Sequence, residues 1–285
     1  MGLIPNIVVN TLVLASMYIL ASLGFAFIFN MLGSVNLAHG AFYMLAAYIT
    51  YYLCAKAGMN NWLAMLLSAI ILAALGVLME RFVFRPFQKE FDRVVMVSVA
   101  IMTMLQQLAV QVSGSQTISI PAYGNGSINL GFMLLSYEKL ITFAVGLVLL
   151  IITLFMVYRT KLGMQMEAIS QDRMGAALQG IPVNKVSALV CGMGFALAAV
   201  AGSMMGAYQQ VSSNMGDNIN VRILMLVMLA GAGSMNGILI TGFLMALLDS
   251  ICPIIWDSYT ASSIACSAVV VLLLMKPKGF FGHEM

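Results

Sequence analysis

Apolar residues run along this chain in long blocks rather than in alternation. Windows fall at 7–29, 41–56, 62–80, 94–113, 138–158, 186–208, 219–232, 237–252 and 261–275. None has the period of two that a half-buried strand requires, and they exceed the roughly 10-residue segments of outer-membrane barrels. The blocks therefore read as helices, which satisfy their own backbone groups in lipid. A full crossing takes about 20 residues, and several blocks are shorter. The pattern predicts an all-α polytopic membrane protein with eight or nine crossings or partial crossings, organised as one domain over residues 1–285. No Lys or Arg precedes the first block and no clear cleavage site follows it, so it reads as a first span rather than a signal peptide.

Composition narrows the class further. Hydrophobic residues make up 62% of the chain and charged residues 8%, with a mean hydropathy of +1.00. A soluble domain carries about 25% charged residues, so this chain has too few to cover a globular surface. The net charge of +3 says little about partners, and no nucleic-acid partner is expected. Cys54, Cys191, Cys252 and Cys266 are scattered through apolar blocks with no CxxC and no metal-type spacing, and they read as small buried side chains.

The distribution of Lys and Arg sets an orientation. Arg81, Arg85, Lys89 and Arg93 crowd one segment, Arg159, Lys161, Arg173 and Lys185 a second, and Lys276 and Lys278 the tail. These three are predicted to be cytoplasmic. The segment 114–137 has no Lys or Arg and is rich in turn-forming residues, so it is predicted to lie outside as turns or a short hairpin. Parity then requires the region 209–260 to leave the outer side and return to it. "AGAGSMNG", Ala230 to Gly237, offers the break, and "GSVNLAHG", Gly33 to Gly40, offers its counterpart near the front. The N-terminus is thereby placed outside and the C-terminus in the cytoplasm. Two Gly-interrupted hairpins in matching halves point to a transport site, and their common orientation suggests a parallel internal repeat.

Broken backbone at membrane depth survives only against protein or a watery cavity. Gly33, Asn36, His39 and Gly40 are expected to face the bundle interior, as are Gly231, Gly233, Ser234 and Asn236. They either line a pathway or cap helix ends and let backbones pack closely. His39 reads either as a proton-sensitive ligand or as a histidine donating to a nearby carbonyl. Thr103, Gln107 and Gln111 form a polar stripe at i, i+4 and i+8, fit either for a conduit or for interhelical hydrogen bonds. Ala198, Gly202 and Gly206 form a small-residue packing ridge. Asp249 and Asp257 fall near the outer end of their region, close enough to the interface to reach water, and read either as simply solvated or as groups that meet an external partner. The segment 159–185 is long and helix-compatible up to Gly180-Ile181-Pro182, with Met166, Ile169 and Met174 on one apolar side. It suits either an interfacial helix on lipid headgroups or a docking element for a motor.

Four stretches together resemble the permeases of branched-chain amino acid ABC transporters: "LGSVNLAHGAFYMLAAY", "EAISQDRMGAALQGI", "LAGAGSMNGILITG" and "KPKGFFG". They occur in the family's order and span nearly the whole chain, and the size is similar to the shorter of the two permeases in such systems. The resemblance implies a second homologous permease, two cytoplasmic ATPase subunits that hold ATP and Mg, and an extracytoplasmic substrate-binding protein. It implies a bacterial inner membrane setting with lipid around the bundle. It also implies that Glu167, Ala168, Asp172, Arg173, Ala176, Gly180 and Ile181 belong to the ATPase-coupling element. Asn36, His39, Gly40, Gly231, Gly233, Ser234, Asn236, Gln107 and Gln111 are the candidates for the translocation path. Glu167 stands where the family usually has Arg, and Met164 where a basic residue is common; Ala230 and Ala232 also depart from the second break. Relatives carry urea, short amides and other small polar solutes, which leaves the substrate open. The chain has no P-loop, so it is not expected to be an enzyme, and it binds no cofactor or metal of its own on this reading. A secondary transporter would need coupling acids within its spans, and Asp249 is the one candidate.

Overall fold

The computed structural model describes residues 3–88, 90–114, 116–129, 133–231 and 234–255, with Ser263, Ser267, Val270, Val271, Leu274, Met275, Lys276, Gly279 and Phe280. Helices dominate these residues: α1 (Leu3–Leu32), α2 (His39–Ala55), α3 (Asn61–Met79), α4 (Phe91–Ser113), α5 (Tyr137–Arg159), α6 (Lys161–Gln171), α7 (Arg173–Leu178), α8 (Val183–Gln209), α9 (Met215–Ala230) and α10 (Met235–Ile255). The expected block at 261–275, Asp257, Cys266, Lys278 and Gly233 lie wholly or largely outside the described residues. Six of the described helices are long and apolar enough to cross a membrane. At 17 and 16 residues, α2 and α9 are shorter, about 25 Å each. Among the described residues two strands of three residues each, β1 (Ser127–Asn129) and β2 (Leu134–Ser136), pair antiparallel as a short hairpin.

The molecule has two ends. One carries the Arg- and Lys-rich segments and is called the basic end; the other carries β1 and β2 and is called the hairpin end. At the basic end α3 continues through a π-turn and a 3-10 turn to Phe87. There the fully buried Glu80 pairs with Arg85, whose guanidinium also donates to the Asn184 carbonyl at 2.9 Å. The finish of α3 is thus tied to the start of α8. At the hairpin end, Glu138 Oε2 accepts from the Tyr123 and Gly124 amides at 2.7 and 3.3 Å. Val211, just past α8, bridges to Ile118.

α1 is apolar on every side and is accordingly the central helix, 89% of its core window being buried. α8 is the second central element and runs antiparallel to it. Phe27 and Met31 of α1 pack near Val186 and Val190, while Met17 and Leu20 share a cluster with Ala201 and Met205. The two backbones cross where Gly24 faces Gly194: a Cβ on either would lie 2.5 Å from the other's carbonyl oxygen. A second crossing pairs Gly40 with Gly216, at the starts of α2 and α9. The predicted ridge is also used, since Gly202 meets Tyr43 and Gly206 meets Ala47.

These contacts define a relation that differs from the parallel repeat suggested by the two Gly-rich breaks. α1 packs on α10 as α8 packs on α3, α2 lies on α3 as α9 lies on α10, and α2 touches α8 as α9 touches α1. Exchanging α1–α3 with α8–α10 preserves this pattern. Because α1 and α8 are antiparallel, the two units are inverted, and the turn 33–38 corresponds to 210–214 rather than to 231–234. Glycine spacing favoured the wrong partner because Gly231 serves a different purpose: with φ +88 it ends α9 at the basic end.

Candidate functional site

The turn after α1 is short but travels far. Gly33 takes φ +64, is exposed and has open space at its Cβ position. The chain then doubles back along α1, so that His39 Nε2 meets the Ala21 carbonyl at 3.1 Å, well inside the bundle. Its ring sits between Phe25 and Phe195, at centroid distances of 5.7 and 5.8 Å. Of the two readings of His39, this geometry supplies the hydrogen bond to a backbone carbonyl. Asn36 Oδ1 accepts from the Ala38 amide at 3.1 Å and shapes the start of α2. Asn220 of α9 donates to the Leu37 carbonyl at 2.9 Å, closing the turn from the other short helix. Asn36 Nδ2, His39 Nδ1 and Asn220 Oδ1 are buried without a partner among the described residues. Unpaired buried polar atoms are costly, and three at one turn mark a place suited to water or a polar solute.

The other predicted path residues lie elsewhere. Gly231 is buried and Ser234 half-buried at the basic end, where Phe280 donates its amide to the Leu229 carbonyl at 2.8 Å. Asn236 is exposed rather than interior and accepts from the Tyr158 hydroxyl at 3.2 Å. Thr103, Gln107 and Gln111 all lie on the exposed face of α4, so they bond no other helix of this chain among the described residues. Gln106, one position away, turns inward and reaches Asp217 in the first turn of α9.

Sequence reasoning named Asp249 but missed Arg222 and the pairing of the two near the middle of α1. Arg222 Nε donates to Asp249 Oδ2 at 2.6 Å, and the Tyr18 hydroxyl donates to the same oxygen at 2.8 Å. Asp249 is therefore paired and largely buried, not solvated at an interface. A lone Arg within "NINVRILML" was the available signal.

At the basic end, α6 and α7 form a surface element laid across the ends of α1 and α8. Thr160 caps α6, and Asp172 caps α7 by accepting from the Met174 amide at 2.9 Å. Gly180, with φ +81, stops α7 while the Ile181 amide bonds back to Ala176 at 3.1 Å, and Pro182 follows. Met166, Ile169 and Ala176 are buried against Phe27, Met31, Val186 and Val190. Met174 departs from the expected apolar side: it is exposed, as are Met164 and Leu178, at 62–82%. Glu167, Gln171 and Asp172 share that outward side, while Ala168, Arg173 and Ile181 are half-buried. Burial lowers the pKa of the Arg173 guanidinium from its usual range.

Two short helices cross beside a pair of central spans, with an amphipathic surface element at the basic end, an arrangement that suits a membrane transport subunit. A family model described as branched-chain amino acid transport system / permease component matches residues 7–275. The chain belongs to that permease family. It is 29% identical to the high-affinity branched-chain amino acid transport system permease protein BraD of Pseudomonas aeruginosa, covering 96% of this chain and 94% of the relative. It is 27% identical to the corresponding LivH protein of Escherichia coli K12, with the same coverage. A solved structure, PsaBC from Streptococcus pneumoniae in complex with Fab, aligns with a TM-score of 0.49 at 17% identity over 93% of this chain and 89% of that one.

Proposed function

We propose that this chain is the transmembrane permease subunit of an ATP-driven ABC importer that carries branched-chain amino acids across the inner membrane. The observation that carries the coupling part of this reading is the outward side of α6 and α7. Met164, Met174 and Leu178 are exposed at 62, 73 and 82% on a short, well-capped element whose other side grips the two central helices. Such a surface suits a protein seat better than water. The relatives named as branched-chain amino acid permeases support the substrate.

On this reading the basic end is cytoplasmic and the hairpin end faces outward, as the Lys and Arg distribution requires. The N-terminus is then outside, the C-terminus inside, and the chain makes eight or nine full or partial crossings. The turns at 33–38 and 231–234 are the breaks of two hairpins. A second homologous permease completes the passage, two cytoplasmic ATPases bind ATP and Mg, and an extracytoplasmic binding protein delivers the solute. Polar groups at membrane depth avoid acyl chains, so Gln107 and Gln111 on α4 face the second permease or the path between the two. Asn36, His39 and Gly40 lie along the route, where α2 and α9 can slide past one another. Gly231, Gly233, Ser234 and Asn236 form its cytoplasmic margin. ATP binding moves α6 and α7, and their grip on α1 and α8 converts that motion into alternating access.

The test is reconstitution of this chain with its neighbouring permease, ATPases and binding protein. ATP hydrolysis stimulated by leucine-loaded binding protein, together with leucine uptake, is the expected result. Uptake that survives ATP depletion but collapses with an uncoupler would overturn it.

A further inference from the structure

We propose that the cavity beside Arg222 and Asp249 receives the charged head group of a zwitterionic amino acid within the permease itself. This deepens the importer reading above and rests on it.

The cavity measures about 340 Å³ and is lined by Tyr18, Tyr43, Met205, Ile219, Arg222 and Asp249 among others. That is the size of a small-ligand pocket. A neighbouring cavity of about 480 Å³ shares Asp249 and Pro253 with it and continues past Asn6 and Asn10 near the N-terminus of α1. The pair is deep: Tyr18 sits midway along the 30-residue α1, and Arg222 is two turns into α9 from the Gly40–Gly216 crossing. Ionised side chains at such depth are costly, and truncating one partner strands the other. Yet they border open space here instead of a packed interface.

The chemistry of the lining is selective. Among the described lining residues, Arg222 and Asp249 are the charged ones, one of each sign, held 2.6 Å apart. An amino acid head group is the complementary pair in reverse order. Its carboxylate exchanges onto the guanidinium and its ammonium onto the Asp249 carboxylate. Arg222 Nε and the Tyr18 hydroxyl both donate to Oδ2. The exchange is charge-neutral, so the buried ion pair costs less to open. Leu14, Met205 and Ile219 supply an apolar wall for an uncharged side chain. Gln210, which also lines the cavity, holds φ +85 with ψ 153, a conformation that costs about 1–3 kcal/mol for a residue with a side chain.

The test uses the complete transporter in proteoliposomes without its binding protein. Ser212 lines the cavity, and Ser212→Cys provides a reporter for a membrane-impermeant thiol reagent. L-Leucine at ten times its Kd slows labelling about tenfold. Isocaproate, which lacks the ammonium, and isopentylamine, which lacks the carboxylate, do not protect. Asp249→Asn removes the protection. Should that single change prevent assembly, the paired change Arg222→Gln with Asp249→Asn leaves no stranded charge, assembles, and is not protected. Equal protection by isocaproate, protection persisting in the paired variant, or no protection by leucine would each overturn the proposal. Uptake by the unsubstituted transporter with its binding protein tests the importer reading separately.

Discussion

Arg173 Nη1 donates a hydrogen bond of 2.9 Å to the carbonyl of Met31, so the first residue of α7 caps the last turn of α1. The carbonyl end of a helix carries partial negative charge, and a cation there contributes about 1–2 kcal/mol in a partly buried setting. This contact joins the surface element directly to the central helix whose end opens into the turn at 33–38. Replacing Arg173 by Met is expected to lower ATP-dependent uptake about tenfold while the binding protein still stimulates hydrolysis. Arg173→Lys, which keeps the charge, should recover part of the loss. Uptake and ATPase rates measured on the same proteoliposomes check this.

Glu167 projects from the outward side of α6 and touches little of its own chain. Its substitution by Lys should leave stability within about 0.5 kcal/mol, as surface changes usually do. If α6 and α7 seat an ATPase as proposed, stimulated ATP hydrolysis should nevertheless fall, because a charge is reversed at that surface. Thermal unfolding of the detergent-purified chain and hydrolysis by the assembled complex separate the two effects.

Gly33 and Gly40 bound the same turn but do different jobs. Gly33 needs its positive φ and has room, so Gly33→Ala should cost about 1 kcal/mol. A Cβ on Gly40 would press on the Gly216 carbonyl and on Asn220. Gly40→Ala should therefore cost about 3 kcal/mol and impair the crossing of α2 and α9. Unfolding midpoints of the two variants, compared side by side, give the order.

Asn36→Leu removes the acceptor for the Ala38 amide and one of three unpartnered polar atoms from the turn. Loss of one such hydrogen bond costs about 1 kcal/mol, too little to prevent assembly. Uptake should fall markedly with the complex intact. Normal uptake would remove Asn36 from the route.

The helices were legible because lipid leaves the backbone no alternative, and blocks such as 138–158 and 186–208 fall within a few residues of α5 and α8. The start of α2 was also legible, since Asn36 and His39 interrupt an apolar run that nothing else would tolerate. Partnership across the fold was not. Arg222 and Asp249 lie on different helices, and no local pattern states that they meet or that Tyr18 joins them. The stripe of Gln107 and Gln111 obeys helical period, yet period cannot say which side of α4 is covered; Gln106 instead reaches Asp217 of α9. Met174 was placed with Met166 by spacing, but the cap at Asp172 breaks the helix between them and turns Met174 outward.

The central claim is that α6 and α7 are the seat through which partner ATPases drive this chain. A photo-crosslinking residue at Leu178, the most exposed apolar position on that element at 82%, tests it in membranes holding the complete transporter. The account predicts an adduct with the ATPase subunit whose yield changes between the nucleotide-free and ATP-trapped states. Adducts with lipid alone, in both states, would contradict it.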